Sequence, residues 1–198
     1  MGLAFDAGRH EYLDTETGEL LPSITALLKA AGQIDDRWYT EASRIRGSAV
    51  HRLTLAHDLG HDEIVEDAVG AYHGYLLAYQ RALRLLRPRW TLMETPLAHP
   101  TLRYAGTPDR VGWVGPKRRR AVVELKTGRP QAVHALQTAL QAMLVEPGAR
   151  RPIDRYALYL QPDGWYRIVE FTAGQDFATA ATIAQQQAHQ SNDTEKKS

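Results

Sequence analysis

The sequence contains no cysteine, which excludes disulfides, thiolate zinc sites, iron–sulfur clusters and cysteine nucleophiles. Any metal would have to be held by carboxylates and histidines, a donor set that favours a hard cation over a soft one. Bulk charge is lacking too. Lys and Arg total 24 against 23 for Asp and Glu, a formal net charge of +1, so a footprint for a polyanionic partner has to be local. No uninterrupted apolar run approaches the roughly 18 residues that span a bilayer. Met1 to His10 carries no basic-then-apolar signal pattern. These absences predict a soluble intracellular protein with no membrane partner.

What is present suffices for a core: 198 residues, 43% of them hydrophobic, predict one domain over 1–190. Turn chemistry at Thr17-Gly18, between Tyr12-Leu13 and Leu20-Leu21, predicts a short hairpin. Ser23 sits where an N-cap belongs, ahead of Ile24, Leu27 and Leu28 at helical spacing, with Gly32 placed to end that helix. Helices are predicted over 36–59 and 62–86, so that 1–89 reads as mostly helical. From residue 90 the pattern changes to strands over 90–98, 104–114, 121–126, 155–160 and 165–171, with a helix over 131–145 between the third and fourth. A last helix is predicted over 175–190, and the polar tail 191–198 is predicted to be disordered.

The chemistry concentrates in one hairpin. If the strands flanking Gly115-Pro116-Lys117-Arg118 pair symmetrically about that turn, Asp109 lies directly opposite Glu124, with Cβ atoms roughly 5 Å apart on one face. Two carboxylates so placed repel unless a proton or cation neutralises them, and a magnesium ion suits the pair. Lys126 returns to the same face about 7 Å further along the strand. There an ammonium can orient or deprotonate an attacking water, or neutralise charge building on a phosphate. The bland alternative is a solvated strand face with a cross-strand salt bridge, the usual fate of exposed charge.

Gly106-Thr107-Pro108-Asp109-Arg110-Val111 followed by Val123-Glu124-Leu125-Lys126-Thr127-Gly128 resembles the bipartite signature of the PD-(D/E)XK nuclease superfamily. The trailing Thr-Gly, the upstream Gly47-x-x-x-His51 and the downstream Gln137 resemble its RecB-like exonuclease branch. Leu21-Pro22-Ser23-Ile24-Thr25 with Arg46 to His51 is similar to phage nucleases related to the mitochondrial genome maintenance exonuclease. One departure is Gln141, where the RecB-like pattern often carries a Tyr; another is the absence of the cysteines found in cluster-bearing relatives.

The resemblance implies an α/β fold: a restriction-endonuclease-like core with a mixed central sheet of about five strands, flanked by helices, and an N-terminal helical layer forming one wall of the cleft. It implies metal-dependent DNA hydrolysis with Mg2+, for which Mn2+ can substitute. Asp109, Glu124, Lys126 and Gln137 would be catalytic, with Gln137 steadying the lysine or the substrate. The metal would be held by His51, Asp109, Glu124 and the Leu125 backbone carbonyl; Glu94, on the preceding strand, is the carboxylate placed to complete a two-metal site, although an isolated strand Glu is more often simply exposed. Gly47 would let its helix approach the sheet closely. Ser23, Thr25, Arg46, Arg110, Lys117, Arg118 and Arg119 are the candidate DNA contacts. By themselves His51 reads as a hydrogen-bonded helix histidine, Ser23 as a plain N-cap and the basic run as a solvated face. The implied setting is phage-type recombination, replication or repair in a bacterial or phage-infected cell, with DNA and a single-strand annealing or recombination protein as partners, as a monomer or a ring. A catalytically silent nucleic-acid-binding module of the same fold, and a hydrolase of another phosphoester, are the competing readings.

Overall fold

The computed structural model describes residues 2–34, 40–61, 70–148 and 153–195, with side chains to residue 188. Three strands, β1 (Leu3–Asp6), β2 (Glu11–Asp14) and β3 (Leu20–Leu21), form a small antiparallel sheet in which Tyr12 pairs with Leu21. The expected hairpin is therefore present, with β1 added to its open edge. Helix α1 (Ile24–Ala30) starts where Ser23 accepts the N–H of Ala26 at 3.1 Å, and the chain leaves it through Gly32 at φ +68°. Helix α2 (Glu41–Leu59) is capped by Thr40 and closed by Gly60 in the left-handed region. Helix α3 (His73–Leu86) follows a short 3-10 turn. The predicted helix starts at 36 and 62 lie outside the described residues.

The second half builds the main sheet. Strands β4 (Arg89–Met93), β7 (Arg110–Val114), β8 (Arg119–Lys126), β9 (Asp154–Leu160) and β10 (Tyr166–Glu170) lie in the order β10-β9-β8-β7-β4. All neighbours are antiparallel except β8 and β9, which are parallel and joined through helix α4 (Val133–Val145). The mixed five-stranded α/β architecture is thus the one expected. Gly112 is required where β4 crosses, since a Cβ there would lie 2.3 Å from the Arg89 carbonyl oxygen.

Two predicted strands are each broken in two. The run 90–98 splits into β4 and β5 (Leu97–Ala98) because Glu94 turns the chain at φ +45°. The run 104–114 splits into β6 (Ala105–Gly106) and β7, interrupted at Thr107-Pro108-Asp109, where proline offers no N–H to a ladder. The last helix, α5 (Gly174–Glu195), extends through most of the segment expected to be disordered.

The expected N-terminal helical layer is made by α2 and α3. Val50 of α2 and Tyr75, Ala78, Tyr79 and Ala82 of α3 cover one face of the main sheet, packing on Ala121, Val123, Leu125, Leu158 and Leu160. On the other face Ala142 of α4 packs on Val111 and Val122. Helix α1 joins α4 and α5 in a separate cluster rather than lying beside α2. Only α1 stands outside that layer, because its Ile24-Leu27-Leu28 stripe finds its apolar partners on α4 and α5. Among the described residues no helix is long and apolar enough to cross a membrane.

Candidate metal centre and cleft

The β7–β8 hairpin sets the geometry. Arg110 pairs with Val123 and Val111 with Val122, so one further step brings Asp109 opposite Glu124 at the end away from the turn. Asp109 Oδ2 accepts the N–H of Leu125 at 2.7 Å, locking the carboxylate across the hairpin. Alternation along β8 sends Val122, Glu124 and Lys126 toward α4, and Val123 and Leu125 toward α2 and α3.

Two groups, His51 and Glu94, converge on Asp109. His51 Nδ1 lies 3.4 Å from Asp109 Oδ1 and 3.4 Å from Glu94 Oε1. One ligand atom from each of the three lies within 4.8 Å of the others. The left-handed turn at Glu94, whose N–H donates to the Asp109 carbonyl at 3.0 Å, brings that side chain in from the end of β4. An imidazole and two carboxylates fit a divalent cation, because their oxygens suit a hard ion, although Glu94 Oε1 also lies 3.4 Å from Arg110 Nη1.

Glu124, 3% exposed, stands beside this trio with both oxygens occupied. Oε1 accepts from Lys126 Nζ at 2.7 Å and from Gln137 at 2.6 Å, while Oε2 accepts from Gln141 at 2.7 Å. Burial and the charge of Asp109 push the Glu124 carboxyl up, against the pull of Lys126 and the Gln141 amide. Burial pulls His51 down, but Asp109 and Glu94 outweigh it and hold the imidazole well above its ordinary value. The trio thus concentrates positive charge, which a proton supplies when no cation does.

Several expected residues are placed differently. Arg110 is fully buried, because strand alternation points it to the face opposite Asp109. There its Nε donates to Asp58 Oδ2 at 2.6 Å and its Nη1 to the Asp109 carbonyl at 2.7 Å, beneath the Tyr79 ring. It is a strut under the site and is not available to DNA. Lys117, Arg118 and Arg119 sit at the hairpin tip, about 16 Å along β8 from Glu124 at roughly 3.3 Å per residue, and Arg119 pairs with Asp154 at 2.5 Å. Gly47 serves no close approach, since the nearest atom to a Cβ there would be Thr127 Oγ1 at 4.0 Å. Gln137 grips Glu124 through Oε1, the same oxygen that Lys126 holds.

Two cavities meet at His51. One, of about 650 Å³, is lined by Arg44, Arg46, Lys126 and Arg129. The other, of about 390 Å³, takes in Ser23, Thr25, Glu94, Asp109, Glu124 and Gln137. Arg46, Ser23 and Thr25 therefore do border the cleft. Asp58 and Tyr79, whose hydroxyl donates to Asp58 at 2.6 Å, were not singled out in the sequence. Asp58 stands seven residues after His51, on the same helical face, and that spacing was the available signal.

No family model and no curated protein matches the chain. Among solved structures it is similar to the "Putative exonuclease" from Eubacterium rectale, with a TM-score of 0.53 and 10% identity over 93% of this chain and 84% of that one. It is also similar to LHK-Exo in complex with dAMP (TM-score 0.47, 15% identity, 89% and 92% covered). A third is SSO0001 (TM-score 0.36, 16% identity, 80% and 79% covered). At such identity the first likeness establishes a shared fold, and the other two are too loose to carry an argument.

Proposed function

We propose that the protein is a divalent-metal-dependent DNA nuclease that hydrolyses phosphodiester bonds. The observation that carries this reading is the convergence of His51, Glu94 and Asp109 beside the Glu124–Lys126 pair, at the meeting point of two cavities. The fold shared with the Eubacterium rectale protein supports it.

His51, Glu94 and Asp109 would hold the cation, with Glu124 and the Leu125 carbonyl as the further ligands that the motif implies. Mg2+ is the proposed ion, Mn2+ able to replace it. When bound, the cation supplies charge neutralisation for the phosphate and a lowered pKa for the attacking water. Lys126 presents an ammonium at the edge of the larger cavity, where it can take up negative charge developing on the phosphate or hold the water in line. Gln137 and Gln141 fix the Glu124 carboxylate, so that Lys126 is oriented from a rigid anchor. Arg46 and Arg129 flank the same cavity and would follow the phosphate backbone.

Exonuclease action in phage-type recombination, replication or repair, alongside a single-strand annealing or recombination protein, is the finer form of this proposal. The test is degradation of end-labelled linear DNA in Mg2+, with closed circular DNA and chelator as controls. Loss of label from linear DNA alone, abolished by chelator, is the expected result; undiminished cutting in chelator would overturn the mechanism.

A further inference from the structure

The two cavities that meet at His51 differ in chemistry. The larger carries Arg44, Arg46, Lys126 and Arg129 against one acid, Glu41. Among the described residues, the smaller carries three acids, Glu94, Asp109 and Glu124, and no lysine or arginine. A polyanion's phosphates are drawn to the first, whereas the second offers positive charge only at its candidate metal centre, which the scissile phosphate would take up, so beyond that group it favours an uncharged part of a nucleotide.

The wall of the smaller cavity suits such a part. Phe5 and Tyr12, paired across β1 and β2, stack with ring centroids 4.7 Å apart. His10, exposed and held at φ +57°, sets its ring edge-on to both. Tyr12 is anchored by a hydrogen bond of 2.9 Å with Thr107 Oγ1, two residues before Asp109. Gln141, which also lines this cavity and is 3% exposed, directs its amide N–H to Glu124 and leaves Oε1 buried with no donor among the described residues. An orphaned buried acceptor is costly unless something donates to it. The volume of about 390 Å³ falls in the small-molecule range.

We propose that this cavity is a single-nucleoside subsite. The base next to the scissile phosphate lies against Phe5 and His10, while the polymer's phosphates occupy the cationic cavity across His51. A ring or sugar donor of that nucleoside satisfies Gln141 Oε1. The inference rests on the nuclease reading and deepens it by naming what the smaller cavity takes.

The test uses oligonucleotides ending, at either end, in a normal nucleotide, an abasic analogue or 2-aminopurine. They are offered to the wild-type chain and to Phe5→Leu, His10→Ala and Phe5→Tyr variants, with folding checked by circular dichroism. From the magnitude of base–aromatic stacking, the wild type should prefer the base over the abasic end by about tenfold in KM. Phe5→Leu and His10→Ala should shrink that ratio, and Phe5→Tyr should restore it. Terminal 2-aminopurine fluorescence should be quenched on binding to the wild type and less so by Phe5→Leu. Should Phe5→Leu fail to fold, the exposed His10→Ala and the aromatic Phe5→Tyr decide the matter. Cleavage with no base preference, or a preference untouched in the variants, would remove the subsite and leave the nuclease reading standing. Absence of any DNA cleavage would remove both.

Discussion

Asp109 Oδ2 accepts the Leu125 N–H at 2.7 Å, which leaves Oδ1 as the oxygen that faces His51 at 3.4 Å. One carboxylate thus serves the hairpin with one oxygen and the candidate centre with the other. Asp109→Asn can keep the first role through its amide oxygen while placing an amide N–H where an anionic oxygen stood. Cutting should fall by on the order of a hundredfold or more, since a ligand charge is lost. Circular dichroism should remain native; loss of folding would make Asp109 a structural residue.

His51 comes to the site from α2, far from the hairpin in sequence. His51→Ala should weaken metal affinity and slow cleavage more at low than at high Mg2+, because mass action refills a weakened site. In the wild type, saturating metal at about 100 times its dissociation constant should add roughly 2.7 kcal/mol of stability. Thermal scans against Mg2+ concentration would show this shift in the wild type and a right-shifted curve in the variant. A rate unaffected at every Mg2+ concentration would take His51 out of the centre.

Arg110 and Arg46 should behave as opposites. Arg110→Ala leaves Asp58 buried without its guanidinium and should cost about 3–5 kcal/mol in urea unfolding. Arg46→Ala should cost little stability but lower the slope of log affinity against log salt by about one. Lys117→Ala, at the distant hairpin tip, should leave that slope unchanged. A full-sized effect at Lys117 would mean that DNA runs along the far end of the sheet.

His134 offers a pH signature independent of catalysis. Burial, reinforced by Lys126 and opposed by Glu124, lowers its pKa to about 4. Its Nδ1 lies 2.7 Å from the Tyr159 hydroxyl and accepts the Gln131 N–H at 3.4 Å, contacts suited to a neutral ring. The folded value lies below the unfolded one, near 6.5. Its contribution is therefore fully present above pH 6.5 and is lost as the pH falls toward 4, at up to about 1.4 kcal/mol per pH unit. Urea midpoints for the wild type and His134→Gln should converge across that window. Parallel curves would show that His134 does not titrate as its surroundings imply.

The sequence alone determined the hairpin register and, with it, the placement of Asp109, Glu124 and Lys126 near one another. A short turn and a two-residue alternation are local properties, which need no knowledge of the rest of the chain. The same alternation, followed one residue further, puts Arg110 on the opposite face from Asp109, although its burial depends on α2 and α3 being there. Only the tertiary structure decided the rest. It brought His51 and Glu94 to one oxygen of Asp109, turned both Gln137 and Gln141 onto Glu124, and moved α1 away from α2 to the cluster with α4 and α5. It also set the β1–β2 aromatics beside the carboxylates, about a hundred residues away in sequence. These meetings depend on which apolar stripe finds which face of the sheet, and a helical period fixes the stripe but not its partner.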